Sequence, residues 1–358
     1  MKKLKVGILG GTGMVGQRFV DLLFNHPWFE IVCIAASRKS AGKFYKDAVK
    51  DRWAMESEIP QQVKRMRVRS VVDDLETTAG EVDLVFCALD MDKEEIKKIE
   101  VAYANEGVPV VSNNSAHRWS DDVPMIMPEI NPGHLKLIDI QRKNRGWKKG
   151  LIVVKPNCSI QSYVSILTAL KEFEPIKVHV VSLQAISGAG KTFESWPEMS
   201  DNVIPFIDGE EEKSEKEPLK IWGEIKNNNL VFAEKPQISA TCIRVPVSDG
   251  HMASVSVSFK EKPSKEEIIS AIKKFQNPIE SLRLPSAPQQ FIKYFEQDNR
   301  PQTRLDRNFE RGMGIAMGRL QEDEHFDWRF IALSHNTIRG AAGGAILMAE
   351  VLAKKGYI

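Results

Sequence analysis

Residues 4–16 read LKVGILGGTGMVG. The apolar run Leu4 to Leu9 has the length and composition of a short buried strand. A glycine-rich turn follows it, and a helical pattern runs from about Met14 to Phe24. Gly10, Gly11, Gly13 and Gly16 satisfy both G-x-x-G-x-x-G and G-x-G-x-x-G. A glycine pattern alone is weak, but here it closes a strand and opens a helix. Glycines let the backbone approach a pyrophosphate, and the helix start offers unpaired N–H groups and partial positive charge.

The next strand, Ile31 to Ala35, ends at Ser37-Arg38-Lys39-Ser40. An enzyme that uses NAD usually places a carboxylate there for the ribose 2′-hydroxyl. Hydroxyls and cations suit a 2′-phosphate instead, with no carboxylate to repel it. The cofactor expected is therefore NADP. Two further apolar strands, Val82 to Leu89 and Val108 to Ser112, flank a charged helix from Lys93 to Asn105, and Leu151 to Pro156 reads as another strand. Alternation of this kind predicts an α/β, Rossmann-type parallel sheet.

Beyond residue 156 the pattern changes. VHVVSLQAIS and IRVPVSDGHMASVSVSFKEK alternate with period two, which predicts a second, α+β domain on a mixed or largely antiparallel sheet. Between them GEEEKSEKEPLK reads as a solvated charged loop or helix start. The C-terminal stretch TIRGAAGGAILMAEVLAKKGYI is a helix rich in small residues, whose Gly343-Gly344 pair permits close packing.

With 358 residues, two domains are expected, each able to bury a core. A net charge of +2 argues against nucleic acid or a membrane surface as the general partner. No stretch of about 18 apolar residues predicts a membrane span. The lysines near the N-terminus run straight into the glycine turn, so no targeting signal is expected. Cys33, Cys87, Cys158 and Cys242 form no Cys-x-x-Cys pair and no zinc-like cluster, so no metal is expected; lone cysteines suit a reducing cytoplasm.

Cys158, in Pro156-Asn157-Cys158-Ser159, differs from the other three. It lies where a buried strand ends and a helical pattern, Ile160 to Leu170, begins. A helix N-terminus lowers a thiol pKa, and its N–H groups can bind an oxyanion. Cys33 and Cys87 lie within apolar strands and, with Cys242, read as small buried hydrophobes.

The ordered set GGTGMVGQRF, SNNSAHRW, PEINPGHL, KPNCS, LQAISGAG, RVPVSDGH and HNTIRGAAGG resembles the aspartate-semialdehyde dehydrogenases of archaea and fungi, nearly end to end. The resemblance implies that Cys158 is the nucleophile, His251 the general acid/base and Gln184 a substrate-orienting residue. It implies that Arg244 grips the substrate carboxylate, that Arg118 and Lys220 bind phosphate, that Glu217 meets the ammonium and that Asn157 touches substrate. The run Glu210-Glu211-Glu212-Lys213 offers the same E-x-x-K spacing as Glu217 to Lys220, so that register stays open. On the cofactor side it implies Thr12, Gly13, Met14 and Val15, then Ser187, Gly188 and Asn336. Asn336 reaches the nucleotide only if the C-terminal helix returns to the first domain. The expected division is thus 1–155 with 334–358, and 156–333.

The activity implied is NADPH-dependent reductive dephosphorylation of L-4-aspartyl phosphate to L-aspartate 4-semialdehyde through a Cys158 thioester. That places the chain in lysine, threonine, methionine and isoleucine biosynthesis, as a cytoplasmic homodimer or homotetramer. Malonyl-CoA reductases share the scaffold and are the alternative, although Asn157 beside Cys158 follows the semialdehyde dehydrogenase pattern.

Overall fold

The computed structural model describes residues 2–358. Six strands form the first sheet: β1 Leu4–Leu9, β2 Phe29–Ala36, β3 Arg69–Ser70, β4 Leu84–Cys87, β5 Pro109–Ser112 and β6 Leu151–Val154. Their spatial order is β3-β2-β1-β4-β5-β6, with every pairing parallel. That is the strand order of dinucleotide-binding folds, in which ligands lie beyond the carboxyl ends of the strands, where the order reverses. Strands β4, β5 and β6 are buried at every position, which is why they read as continuous apolar runs. Helix α1, Met14–Leu23, follows the glycine turn, and α2, Lys93–Asn105, joins β4 to β5. The Asp92 side chain caps α2 by accepting from the N–H groups of Glu94 and Glu95.

After β6 the chain makes the nucleophile loop and α3, Gln161–Ala169. The second region contains β7 Pro175–Gln184, the hairpin β8 Glu224–Lys226 and β9 Asn229–Val231, then β10 Gln237–Arg244 and β11 His251–Phe259. It continues with β12 Ile292–Phe295, β13 Ile315–Glu322 and β14 Trp328–Ser334. Its main sheet runs β10-β7-β11-β14-β13-β12. The outer pairs β10–β7 and β12–β13 are parallel and the three inner pairings antiparallel, so the sheet is mixed.

Of the two readings of GEEEKSEKEPLK, loop or helix start, the helix is the one found, but it is not wholly solvated. The segment forms most of helix α4, Glu210–Ile221, which buries Glu210, Ser214, Glu217 and Lys220. These polar groups are buried because each finds a partner: Ser214 Oγ lies 3.3 Å from Ser159 Oγ, and the partners of the other three are described below. The chain ends on a π-helical turn, Ile338–Ala342, that runs into α5, Gly343–Lys354. Helix α5 is apolar on all sides, and its residues from Ala345 to Leu352 pack with Val6, Ile8 and Phe19 of the first sheet region. His26 adds a 2.9 Å contact to the buried Glu350 of α5. Among the described residues no helix is long and apolar enough to cross a membrane.

Candidate active site

The glycine turn has the form a dinucleotide needs. A Cβ on Gly10, at φ 83°, would fall 2.2 Å from the Ala88 carbonyl oxygen, and one on Gly16 would fall 2.2 Å from the Gly10 oxygen. These two glycines permit the close packing of turn, helix and sheet. A Cβ on Gly13 would meet only the Gly10 oxygen, at 3.6 Å, so that side of the turn is open. Gly13 caps α1 without a side-chain hydrogen bond, and the first turn carries no acid. The first N–H groups, from Met14 to Gly16, have no partner within the helix and suit an anion. Thr12 and Val15 complete the turn, and Gln17 Nε2 fixes it by donating to the Thr12 carbonyl at 3.1 Å.

At the end of β2, Ser37, Arg38 and Lys39 are exposed and Ser40 is buried. The basic segment was expected to be free of carboxylates, and it is not. Arg38 donates from Nε and Nη2 to both oxygens of Asp73, at 2.9 and 2.7 Å. The guanidinium holds the Asp73 carboxyl well below the usual range. Asp73 lies just beyond the short strand β3, 35 residues from Arg38 in sequence, which is why the strand-end motif did not reveal it.

Four strands bring the catalytic candidates to one edge of the second sheet. Gln184 ends β7 opposite Arg244, which ends β10; His251 starts β11 opposite Ser334, which ends β14. Gly188 lies over this edge. A Cβ there would sit 2.9 Å from Arg244 Nη1 and 3.0 Å from His251 Nε2. Arg244 donates to the Ala185 carbonyl at 2.7 Å. Asn336 bridges the same region, accepting from the Gly250 N–H and donating to Ser187 Oγ, both at 2.8 Å. Ser187, Gly188 and Asn336 are thus brought together with His251.

His251 Nδ1 accepts the Ala185 N–H at 3.0 Å. An N–H can be accepted only by an unprotonated nitrogen, so the neutral ring carries its proton on Nε2. That nitrogen is buried without a partner. Burial, and then the charge of Arg244, pull the His251 pKa down to about 3. In the neutral range His251 is therefore a donor at Nε2 and holds no free basic nitrogen.

Cys158 is partly exposed, three residues before α3. The π-helical turn presses on it, since a Cβ on Gly340 would lie 2.6 Å from the Cys158 Cβ. The expected lowering of this thiol by a helix start is outweighed. Desolvation, then the nearby Glu210 carboxylate, push its pKa up to about 11, against opposing pulls from Arg118, Arg244 and Lys155.

The loop is held from α4. Arg118 donates to the Lys155 carbonyl at 3.0 Å, to Glu217 at 2.8 Å and to the Asn113 carbonyl at 3.1 Å. Three of its five N–H groups are used, which fixes its plane and leaves two. Glu217 is fully buried, and its second oxygen accepts the Asn157 N–H at 2.6 Å. Lys220 donates to the carbonyls of Arg118 and Ser120, at 2.6 and 3.1 Å. Its burial lowers the ammonium to about 8. Glu217 thus uses both oxygens, and Lys220 two of its three N–H groups, on protein partners.

In the other E-x-x-K pair the lysine, Lys213, is the more open member and Glu210 is buried. Glu210 accepts from Asn157 Nδ2 at 2.9 Å, Gln184 Nε2 at 3.3 Å and Lys213 Nζ at 2.8 Å. Despite the cost of burial, Lys213 and these donors keep its carboxyl below the ordinary value. Lys213 lines a surface cleft with Lys93, Lys97, Ser115, Trp119 and Glu217, whereas Lys220 and Glu210 do not. Asn157 uses its side-chain oxygen for Ser159 N–H and Oγ, at 2.8 and 2.9 Å, so it shapes the loop more than it offers a free contact.

Two family models match the chain: semialdehyde dehydrogenase, NAD binding domain, over residues 5–138, and semialdehyde dehydrogenase, dimerisation domain, over residues 167–339. An aspartate-semialdehyde dehydrogenase of Aspergillus fumigatus is 43% identical, with 99% of each chain covered. The chain belongs to the aspartate-semialdehyde dehydrogenase family. The family's enzyme from Archaeoglobus fulgidus is 42% identical, over 99% of this chain and 100% of the relative. A crystal structure of the Candida albicans member with NADP superposes with a TM-score of 0.88 at 37% identity, covering 100% of both chains. These relatives favour the semialdehyde dehydrogenase reading over an acyl-CoA reductase.

Proposed function

We propose that the chain interconverts L-4-aspartyl phosphate and L-aspartate 4-semialdehyde with NADP, using Cys158 as acyl carrier. The observation that carries this reading is the convergence on one partly exposed cysteine of Arg118, Arg244 and Glu210. Its substrate bears one phosphate, one carboxylate and one ammonium, and the site offers a group for each. Arg244 takes the carboxylate, Glu210 the ammonium, and Arg118 with Lys213 the phosphate. Gln184, tied to Glu210, orients the substrate. Glu217, Lys220 and Asn157 hold Arg118 and the loop in place.

In the reductive direction Cys158 Sγ attacks the acyl carbon, the phosphate leaves towards Arg118 and Lys213, and a thioester remains on Cys158. The Gly10–Gly16 turn, Ser37 to Ser40, Ser187, Gly188 and Asn336 would hold NADP, with Gly13 facing the pyrophosphate. NADPH, when bound, supplies the hydride that reduces the acyl carbon. His251 Nε2–H stabilises the negative charge that develops on the acyl oxygen. Collapse of that oxyanion expels Sγ and frees the semialdehyde without drawing a proton from a neutral imidazole. His251 is thus a hydrogen-bond donor where the sequence suggested an acid/base.

We further assign 1–155 with 334–358 to a nucleotide domain and 156–333 to a catalytic and dimerisation domain, in a homo-oligomer. The packing of α5 on the first-sheet core and the match to a dimerisation model support this division. With L-aspartate 4-semialdehyde and NADP, the purified protein should form NADPH over repeated turnovers only when phosphate is present, and no more than one NADPH per active site without it. Absence of NADPH formation, or formation indifferent to phosphate, would overturn the assignment.

A further inference from the structure

Attack by Cys158 needs its Sγ at a fixed place beside Arg244 and His251. The backbone on either side of it is held: the Lys155 carbonyl accepts Arg118 Nε at 3.0 Å, and the Asn157 N–H donates to Glu217 at 2.6 Å. The Cys158 side chain itself meets the π-helical turn Ile338–Ala342, which carries no group assigned to substrate or cofactor. Turns of this kind are rare and recur at functional sites.

Gly340 makes the contact. A Cβ built on it would lie 2.6 Å from Cys158 Cβ and 3.1 Å from Cys158 Cα, and the next atom, the His335 carbonyl oxygen, is 3.5 Å away. Non-bonded carbons rest at about 3.5–4.0 Å, so the first two contacts are overlaps. Gly340 is not among the glycines with positive φ, so its backbone would admit an L side chain. Of the groups packed on it, only Cys158 excludes one.

The turn is anchored one residue away. Arg339 donates to both oxygens of Glu129, from Nη1 to one and from Nη2 at 2.7 Å to the other, and both residues are fully buried. A bidentate pair fixes direction as well as distance. The Arg339 guanidinium also lies over the Phe291 ring, 4.9 Å from its centroid. Ile338 fills the space beside Gly312, where a Cβ would fall 2.9 Å from Ile338 Cδ1. The Gly340 N–H donates to the His335 carbonyl at 2.9 Å. Between this turn and the pinned loop, neither side is free to yield to an added side chain.

We propose that Gly340 is a positioning residue for Cys158, with the Glu129–Arg339 pair as its anchor. The backbone of the turn is the stop against which Cys158 Cβ rests, and it sets where Sγ stands relative to Arg244 and His251. This inference rests on the reading of Cys158 as nucleophile. A methyl group at position 340 adds no charge and removes no hydrogen bond, so its effect is to displace Cys158. A displacement of about 1 Å at a reacting group costs about a hundredfold in rate.

The test is the rate constant of the single turnover that saturating L-aspartate 4-semialdehyde and NADP give without phosphate, followed as NADPH absorbance. Addition to the aldehyde and hydride transfer both run through Sγ, so its position enters that constant. Wild type is compared with Gly340→Ala and with the double variant Glu129→Leu, Arg339→Met. Replacing the whole buried pair by apolar side chains strands no charge, so the double variant is expected to fold. Amplitude counts the folded sites and the rate constant reads only those. Both variants should slow the rate constant about tenfold to a hundredfold, with one NADPH per folded site and unchanged affinity for NADP. A wild-type rate constant in either variant, even at lowered amplitude, would show a merely structural role and overturn the proposal. An equal loss of NADP affinity would place the effect at Asn336 and overturn it too. A burst from Cys158→Ala would sink the nucleophile reading instead, so the two failures are told apart.

Discussion

Glu217 ties Arg118 to the nucleophile loop: one carboxylate oxygen accepts Arg118 Nη1 at 2.8 Å and the other accepts the Asn157 N–H at 2.6 Å. The carboxylate is fully buried and Arg118 nearly so. Removing one partner of such a pair strands the other charge, at about 3–5 kcal/mol. Glu217→Ala should therefore lose stability on that scale in urea unfolding, together with activity. A variant as stable as wild type would show that the pair does not hold the loop.

The two E-x-x-K pairs on α4 should separate by phenotype. Lys213→Ala removes a cation that faces the cleft, so the KM for phosphate in the oxidative direction should rise about tenfold or more, with little loss of stability. Lys220→Ala removes the clamp on the Arg118 and Ser120 carbonyls and should lower the unfolding midpoint. The reverse pattern in steady-state kinetics and thermal melts would restore Lys220 as the phosphate ligand.

Cofactor choice should respond to the pair Arg38–Asp73. Arg38→Glu should weaken NADPH far more than NADH. Asp73→Asn frees the guanidinium and removes a negative charge, so it should lower the KM for NADPH several-fold and leave that for NADH unchanged. Equal effects on both cofactors would show that this corner does not read the 2′-phosphate.

Stability should fall on mild acidification. Burial brings His251 to about 3 and, as the largest cause, brings His117 and His335 to about 4. Between these values and about 6.5 the unfolded chain binds protons that the folded chain refuses, so stability is present above about 6.5 and is lost as pH falls. Each fully neutral histidine contributes at most about 1.4 kcal/mol per pH unit. Buried Glu100, raised to about 7, has the opposite slope, since its folded form keeps a proton that the unfolded chain has released. Three histidines outweigh one glutamate, so urea midpoints should drop from pH 6.5 to pH 5. A midpoint that rises over that interval would contradict the burial of these rings.

The glycine turn, the parallel sheet and the nucleophile loop were legible because each depends on local chemistry: glycine spacing, unbroken apolar runs, a cysteine between strand and helix. The role of α4 was not. Its segment is almost wholly polar, and its two E-x-x-K pairs are seven residues apart, about two helical turns, so both fall on one face. Only the partners Arg118, Asn157 and Gln184, brought from other elements, tell the pairs apart. Asp73 was hidden for the same reason, contributed from beyond a two-residue strand. The tautomer of His251 depends on the Ala185 backbone, 66 residues away, which no motif encodes.

The central claim, that Cys158 carries the acyl group, is tested most directly by a phosphate-free burst. With L-aspartate 4-semialdehyde and NADP but no phosphate, hydride transfer can proceed once and the thioester then waits for its acceptor. Wild type should release one NADPH per active site and gain the acyl mass on the Cys158 peptide, and Cys158→Ala should do neither. A stoichiometric burst from Cys158→Ala would contradict the account.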